Sequence, residues 1–250
     1  ALIGQPNCGK STLFNQVAGY KAETGNFSGT TVTFTESRVR VQGQVVDLTD
    51  LPGAYALDGM NPAENESRRY LDSREVDVII NVADASHLAQ SLELTLELLA
   101  LNRPMILALN MMDEAMRHGL HIDGEGLISE LGIPVLPLVA SKGRGVREVF
   151  IKAKAEGGKR KAEGGEIQNL SAEERHARAR EVAEKYVTRG ERRVTWRDRL
   201  DDVLLHPIWG YAILLLVLFG FFEGVYGMGK IVEPPVLAFF DALTRGALRP

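Results

Sequence analysis

Short apolar runs alternate with helical patterns from residue 1 to about residue 155. Val45-Val46-Asp47-Leu48, Val76 to Val82, Met105 to Leu109 and Pro134 to Leu138 read as strands, with helices between them at Ser11 to Ala18 and Leu88 to Ala100. Strands that alternate with helices predict an α/β fold, a mostly parallel sheet covered on both faces. Thr33 to Val41 behaves differently, setting Phe34, Val39 and Val41 among polar residues, and Gln42-Gly43 joins it to the next strand. That pattern predicts a hairpin and one antiparallel edge strand. Ala1-Leu2-Ile3 reads as the stub of a buried strand, and both ends of the chain read as cuts through a longer protein.

The pattern changes after about residue 155. Gly157-Gly158, Gly164-Gly165 and interleaved Lys and Glu read as a solvated connection. Ser171-Ala-Glu-Glu is a capping-box start for a charged helix running to about Val187. Val203 to Phe222 then contains no Asp, Glu, Lys or Arg. At about 1.5 Å per residue it covers about 30 Å, the hydrocarbon thickness of a bilayer. His206-Pro207 marks the helix start, since Pro suits a first turn, and Trp209 and Tyr211 suit a membrane interface. Arg192, Arg193, Arg197 and Arg199 precede the span, which puts the N-terminal domain on the cytosolic side. Val232 to Leu248 is too broken to read as a second span.

Composition adds exclusions. Charged residues make up 25% and the net charge is −4, so neither wholesale disorder nor a nucleic-acid-binding surface is indicated. Cys8 is the single cysteine, which excludes an internal disulfide framework.

The chemistry is concentrated in four short segments. Gly4-Gln-Pro-Asn-Cys-Gly-Lys-Ser11 matches G-x-x-x-x-G-K-[ST] between a strand stub and a helical pattern, the context a phosphate-binding loop needs. Gly4, Asn7, Cys8, Gly9, Lys10, Ser11 and Thr12 are its candidate nucleotide contacts. The backbone amides would face the phosphates, Lys10 would bridge the β- and γ-phosphates, and Ser11 would ligate Mg²⁺. Asn110-Met-Met-Asp113 follows the Met105 to Leu109 strand. Asp113 there can accept from the N1–H and exocyclic amine of guanine, a donor pair that adenine lacks. Asn110 would hold the loop and face the base. Ala140-Ser141-Lys142 would supply a backbone amide to the guanine O6. Asp50-Leu-Pro-Gly53 follows another strand, with Asp50 set to hold Mg²⁺ through water and the Gly53 amide to touch the γ-phosphate. In Gly29-Thr30-Thr31-Val32, Thr31 is the candidate Mg²⁺ cap and γ-phosphate sensor, with Thr30 its rival.

Together these residues resemble the translation-factor-like small GTPases and, more closely, the FeoB family of bacterial ferrous iron transporters. The resembling stretches are Gly4 to Asn15, Gly25 to Val32, Val46 to Leu57, Asn81 to Ala85, Leu107 to Asp113 and Pro137 to Gly145, with Arg197 to Gly210 similar to that family's approach to its first membrane helix. The resemblance implies a cytosolic GTP-hydrolysing G domain over residues 1–155. It further implies a GDI-like helical spacer over 156–200 that modulates nucleotide affinity. The start of a multi-pass inner-membrane domain would occupy 201–250, its first helix at about 203–226. GTP or GDP, Mg²⁺, a lipid bilayer and Fe²⁺ as transported ion are the implied ligands and partners, and a homo-oligomer is left open. Small GTPases with a catalytic glutamine carry it directly after the D-x-x-G glycine; here that position is Ala54, as in the family. Family members with the phosphate-loop asparagine are activated by potassium, which implies K⁺ held by Asn7 and nearby carbonyls; Asn7 as a brace of the loop is the other reading. Met111 stands where many GTPases carry lysine, a trait the family shares, so it joins the candidate base-site residues. Lys10, Thr31, Gly53 and Asn7 are the candidate catalytic set.

Two further functions fit parts of the pattern: a GTPase of ribosome or RNA maturation, and a membrane-tethered signalling GTPase without transport. The first lacks the expected basic RNA-binding module here. Nothing in the sequence marks an iron site. His118, His121 and Asp123 have ligand chemistry, but they read as a solvent-facing connection beside the base motif.

Overall fold

The computed structural model describes residues 1–18, 23–26, 32–57, 61–73, 76–157, 170–190, 200 and 203–247, giving the backbone alone at 26, 73, 231 and 239–247. The chain forms two compact units, Ala1–Arg193 and Val194–Pro250.

In the first unit a seven-stranded sheet runs in the order β2-β3-β4-β1-β5-β6-β8. The strands are β1 (Leu2–Gly4), β2 (Glu23–Asn26), β3 (Thr33–Val41), β4 (Gln44–Asp50), β5 (Ile79–Asp84), β6 (Met105–Asn110) and β8 (Val135–Pro137). β1 is central and runs parallel to β4 and β5, and β5, β6 and β8 continue in parallel. Helices α1 (Lys10–Ala18), α2 (Pro62–Ser73), α3 (Leu88–Ala100), α4 (Met112–Arg117), α5 (Gly124–Leu131) and α6 (Val146–Glu156) complete the alternation. Apolar residues collect into two clusters. Leu13, Phe14, Val149 and Phe150 of α1 and α6 belong to one, and Leu71, Leu92, Leu96 and Leu127 of α2, α3 and α5 to the other. This is the double coverage that continuous apolar strands require.

The hairpin forms at Gln42-Gly43, both at positive φ. The expected edge position does not hold: β3 is interior, because β2 pairs antiparallel along its outer side. β2 reads Glu-Thr-Gly-Asn, with no apolar alternation to announce a strand, and is held by backbone pairing and by Phe34 stacked close on Gly25.

The charged helix appears as α7 (Ala172–Tyr186), and Ser171 and Glu174 form the reciprocal capping box. Ala179, Val182 and Ala183 of α7 are buried in the α3 side of the core. The amphipathic stripe is narrow because small residues carry it, and so the sequence reads as charged throughout. Glu130 of α5 fastens the far end, accepting from Arg178, from Lys185 at 2.8 Å and from the Tyr186 hydroxyl at 2.7 Å. A small second sheet pairs β7 (Leu120–Ile122) with β9 (Val187–Arg189). His121 thus lies in a strand rather than a loop, while His118 ends α4 and Asp123 caps α5 by accepting from Gly126 N.

The second unit is dominated by α8 (Trp209–Ala247). Its stretch Trp209–Ala238 is long and apolar enough to cross a membrane, and its most apolar part is not buried within the chain. The helix begins at Trp209, just past the His206-Pro207 signal, so Val203 at the head of the apolar run lies outside it. Pro207 disfavours helical backbone at His206 and lacks an N–H, separating Val203-Leu204 from α8. His206 Nδ1 then accepts from the amides of Ile208 at 3.2 Å and Trp209 at 3.4 Å, closing the helix start. The helix runs past the expected limit of about residue 226, continuing through Pro234 and Pro235.

Candidate guanine-nucleotide site

The glycine-rich loop leaves the C-terminal end of β1 and enters α1 at Lys10. Asn7 and Gly9 both take positive φ, 65° and 85°, which curls the backbone between strand and helix. Gly9 is required twice over: a Cβ there would lie 2.2 Å from Asn110 Nδ2. The Cys8 thiol is buried behind the loop, and burial pushes its pKa up to about 11, so it acts as an apolar filler. Asn7, Ser11 and Thr12 are exposed on the loop and first helical turn.

Lys10 is nearly buried and its ammonium bonds the Asp50 carboxylate, which ends β4. Burial raises the Asp50 pKa, opposed by the attraction of Lys10. Ser11 Oγ lies 3.3 Å from the other Asp50 oxygen. Two hard oxygen donors therefore sit side by side at the helix start, a donor set that fits Mg²⁺. Beyond Asp50 the turn folds back over the loop: Ala54 N donates to Gly4 O at 3.2 Å, and a Cβ on Gly53 would lie 3.2 Å from Pro6 N. Ala54 is fully buried. Thr30 and Thr31 lie outside the described residues.

Asn110 ends β6 and is buried. Its Nδ2 donates to Cys8 O at 2.8 Å, and its Oδ1 accepts from Ala140 N at 2.9 Å. The bracing expected of Asn110 is formed with both ends of its carboxamide. Met111 takes a positive φ of 60° and brings its methyl group towards Gly9. Asp113, in the first turn of α4, accepts from Lys142 Nζ at 2.5 Å, and this hydrogen bond holds its carboxyl below the usual range. Of the Ala140–Lys142 amides, the first is taken by Asn110 and the third by Val139 O at 3.0 Å. The Ser141 amide is left without a described partner. Among the described residues, no group of three or more His, Cys, Asp and Glu could hold a metal ion.

Several supporting residues carry no motif. Gln5 Nε2 donates to Gln90 O at 2.7 Å. Past Gly53, Glu64 accepts from Tyr55 N at 3.3 Å and Glu97 accepts from Leu57 N at 2.6 Å. The other Glu97 oxygen accepts from Arg175 Nη2 of α7 at 3.2 Å. A buried Glu97 in the middle of a Leu-rich helix, which needs a partner, was the available signal.

A glycine-rich loop of phosphate-binding pattern at the end of a central parallel strand, locked through Asn110 to the loop that carries Asp113, defines a P-loop domain of the guanine-nucleotide-binding class. Residues 1–153 match the family described as ferrous iron transport protein B, and the chain belongs to that family. It is similar to the Fe(2+) transporter FeoB of Campylobacter jejuni, 30% identical over 97% of this chain and 41% of that protein. The Escherichia coli Fe(2+) transporter FeoB is 44% identical over 58% of this chain and 19% of its own length. The chain thus spans less than half the length of these relatives. Among solved structures it resembles the cytosolic domain of the T. maritima FeoB iron transporter. The apo form has a TM-score of 0.69 at 27% identity, covering 75% of this chain and 98% of that one. The GMPPNP form gives 0.69 at 26%, with the same coverage.

Proposed function

We propose that the first unit binds GTP and GDP with Mg²⁺ and hydrolyses GTP, as the cytosolic switch of a multi-pass ferrous iron transporter whose membrane domain begins with α8. The observation that carries the nucleotide reading is the double hydrogen bond of Asn110. It fixes the phosphate loop and the Ala140 loop against one another, which supports the reading that Lys10 and Asp113 serve a single cleft. Asp113 and the Ser141 amide read guanine. Lys10 exchanges the Asp50 carboxylate for the phosphates, and the Gly53 amide and Thr31 contact the γ-phosphate. Ser11, Asp50 and Thr31 would hold Mg²⁺, which supplies positive charge to the phosphate oxygens when bound. Ala54 has no side chain able to orient water. We assign the missing positive charge to K⁺ held by Asn7, in the role an arginine finger takes elsewhere. The T. maritima relative has been captured with GMPPNP, which supports the triphosphate reading. α7 acts as a modulator of nucleotide affinity, touching the segment after Gly53 through Arg175 and Glu97. The resemblance, the apolar surface of α8 and the Fe(2+) transporter relatives support the membrane and iron assignments.

Titrating residues 1–193 with GDP, GTP and ATP tests the reading. Guanine nucleotides bind and ATP does not; equal affinity for ATP rejects it. GTP turnover is faster in K⁺ than in Na⁺, and equal rates remove Asn7 from the catalytic set.

A further inference from the structure

Among the described side chains of α8, the charged residues Glu223, Lys230 and Glu233 gather on one face. From Trp209 to Phe219 the helix is apolar all round; from Gly220 its character divides. At about 100° per residue, Glu223, Tyr226, Gly227, Lys230 and Glu233 fall within about a third of the circumference. Phe221, Val225, Met228, Val232 and Val236 occupy the opposite side. With Trp209 at the near interface, Glu223 lies roughly 21 Å along the axis, inside a hydrocarbon layer about 30 Å thick. Lys230 and Glu233 fall near the far interface, at about 32 and 36 Å by the same rise.

A carboxylate at that depth is costly when it faces lipid, so such residues turn towards protein or water and mark ion pathways. Glu223 is exposed on α8 and has no ion-pair partner among the described residues. Lys230 does not neutralise it directly, since its ammonium rests 4.5 Å from the centre of the Tyr226 ring. Counting Glu223, Lys230 and Glu233, the stripe carries one net negative charge. Pro234 and Pro235 lie within the helix and lack N–H groups, so the carbonyls of Lys230 and Ile231 lose their helical donors. Carboxylates and freed carbonyls are hard oxygen donors, the chemistry that suits a divalent cation in a membrane.

We propose that this face of α8 lines a path for a divalent metal cation, with the Glu223 carboxylate contacting the cation within the membrane. Glu233 and the two freed carbonyls meet it at the far mouth. The inference rests on the reading that α8 spans the bilayer, and it adds a named site to the transport proposed above.

The test uses the full-length protein in proteoliposomes. Glu223→Gln lowers Fe²⁺ uptake by about tenfold or more while GTP hydrolysis is retained, and Glu223→Asp keeps a substantial part of uptake. In parallel, Glu223→Cys and Val225→Cys are treated with a charged, membrane-impermeant thiol reagent and read against the unsubstituted protein. Cysteine at 223 reacts and Mn²⁺ slows the reaction; cysteine at 225 stays inert. Uptake by Glu223→Gln at the unsubstituted rate, or an inert cysteine at 223, overturns the proposal. Equal reaction at both positions shows instead that α8 is not embedded, and the spanning reading fails with it.

Discussion

The Asn110 side chain holds Cys8 and Ala140 at once, donating to one carbonyl and accepting from one amide across 102 and 30 residues of sequence. Asn110 is buried, so water cannot replace it at either backbone group. Asn110→Ala therefore leaves two polar groups unpaired, at about 1–3 kcal/mol each. Expected are a melting temperature lower by many degrees and weaker binding of GDP and GTP alike. Asn110→Asp keeps the bond to Ala140 but turns an acceptor against the Cys8 carbonyl, and falls between. A melt of Asn110→Ala that overlays the parent would contradict this account.

Asp113 presents its carboxylate at the first turn of α4, held by Lys142 and the Glu114 amide. Replacing one acceptor oxygen with a donor matches the carbonyl that xanthine carries where guanine has an amine. Asp113→Asn should trade guanine for xanthine preference, by about 10- to 100-fold in the affinity ratio, as expected for one or two exchanged hydrogen bonds. Competition between GDP and XDP measures it. A variant that still binds GDP best would remove Asp113 from base recognition.

The sheet and the nucleotide motifs were legible because each depends on local spacing. β6 and α3 match their apolar runs almost residue for residue, and Lys10, Asp50 and Asn110 stand where their motifs put them. β2 was not legible, because its four polar residues are a strand only by virtue of β3 beside it. Arg175 and Glu97 meet across 78 residues and belong to no motif; only the folded chain makes α7 part of the nucleotide domain. Hydropathy alone counts Val203 and Leu204 into the span; the start of α8 follows instead the His206-Pro207 signal, through the backbone restriction that Pro207 imposes on His206.

Glu130 makes the junction of α5 and α7 sensitive to acid. Lys185, then the Tyr186 hydroxyl, holds its carboxyl below the usual range. A carboxylate with a folded pKa below its unfolded value stabilises the fold above the unfolded value. That contribution is lost as pH falls through the folded one. Glu130→Gln should thus lower stability at pH 7 by about 1 kcal/mol, the upper range for a solvent-accessible ion pair. The difference should shrink as pH falls below the ordinary glutamate pKa of about 4.3, since the unfolded carboxyl then protonates before the native one. Urea midpoints of residues 1–193 at the two pH values decide it, and a constant difference would mean that the charge of Glu130 is not what holds α7.

Among the described residues, the Glu97 carboxylate joins the segment after Gly53 to α7. Glu97 gives one oxygen to the Leu57 amide at 2.6 Å and the other to Arg175 at 3.2 Å, with both side chains largely buried. Any nucleotide that shifts residues 53–57 must move this carboxylate or break one of its bonds, so the two sites are linked and the linkage is reciprocal. Arg175→Gln weakens the bond at the α7 end without removing the Glu97 contact to Leu57. It should alter the ratio of GTP to GDP affinity by about 5-fold or more, the lower bound of ordinary coupling energies. In a double-mutant cycle with Glu97→Gln, the effects should be less than additive, because either change severs the same path. Isothermal titration with GDP and a non-hydrolysable GTP analogue supplies the four affinities. An unchanged ratio in a variant whose α7 remains folded by circular dichroism would show that this contact only fastens the helix and carries no signal from the nucleotide.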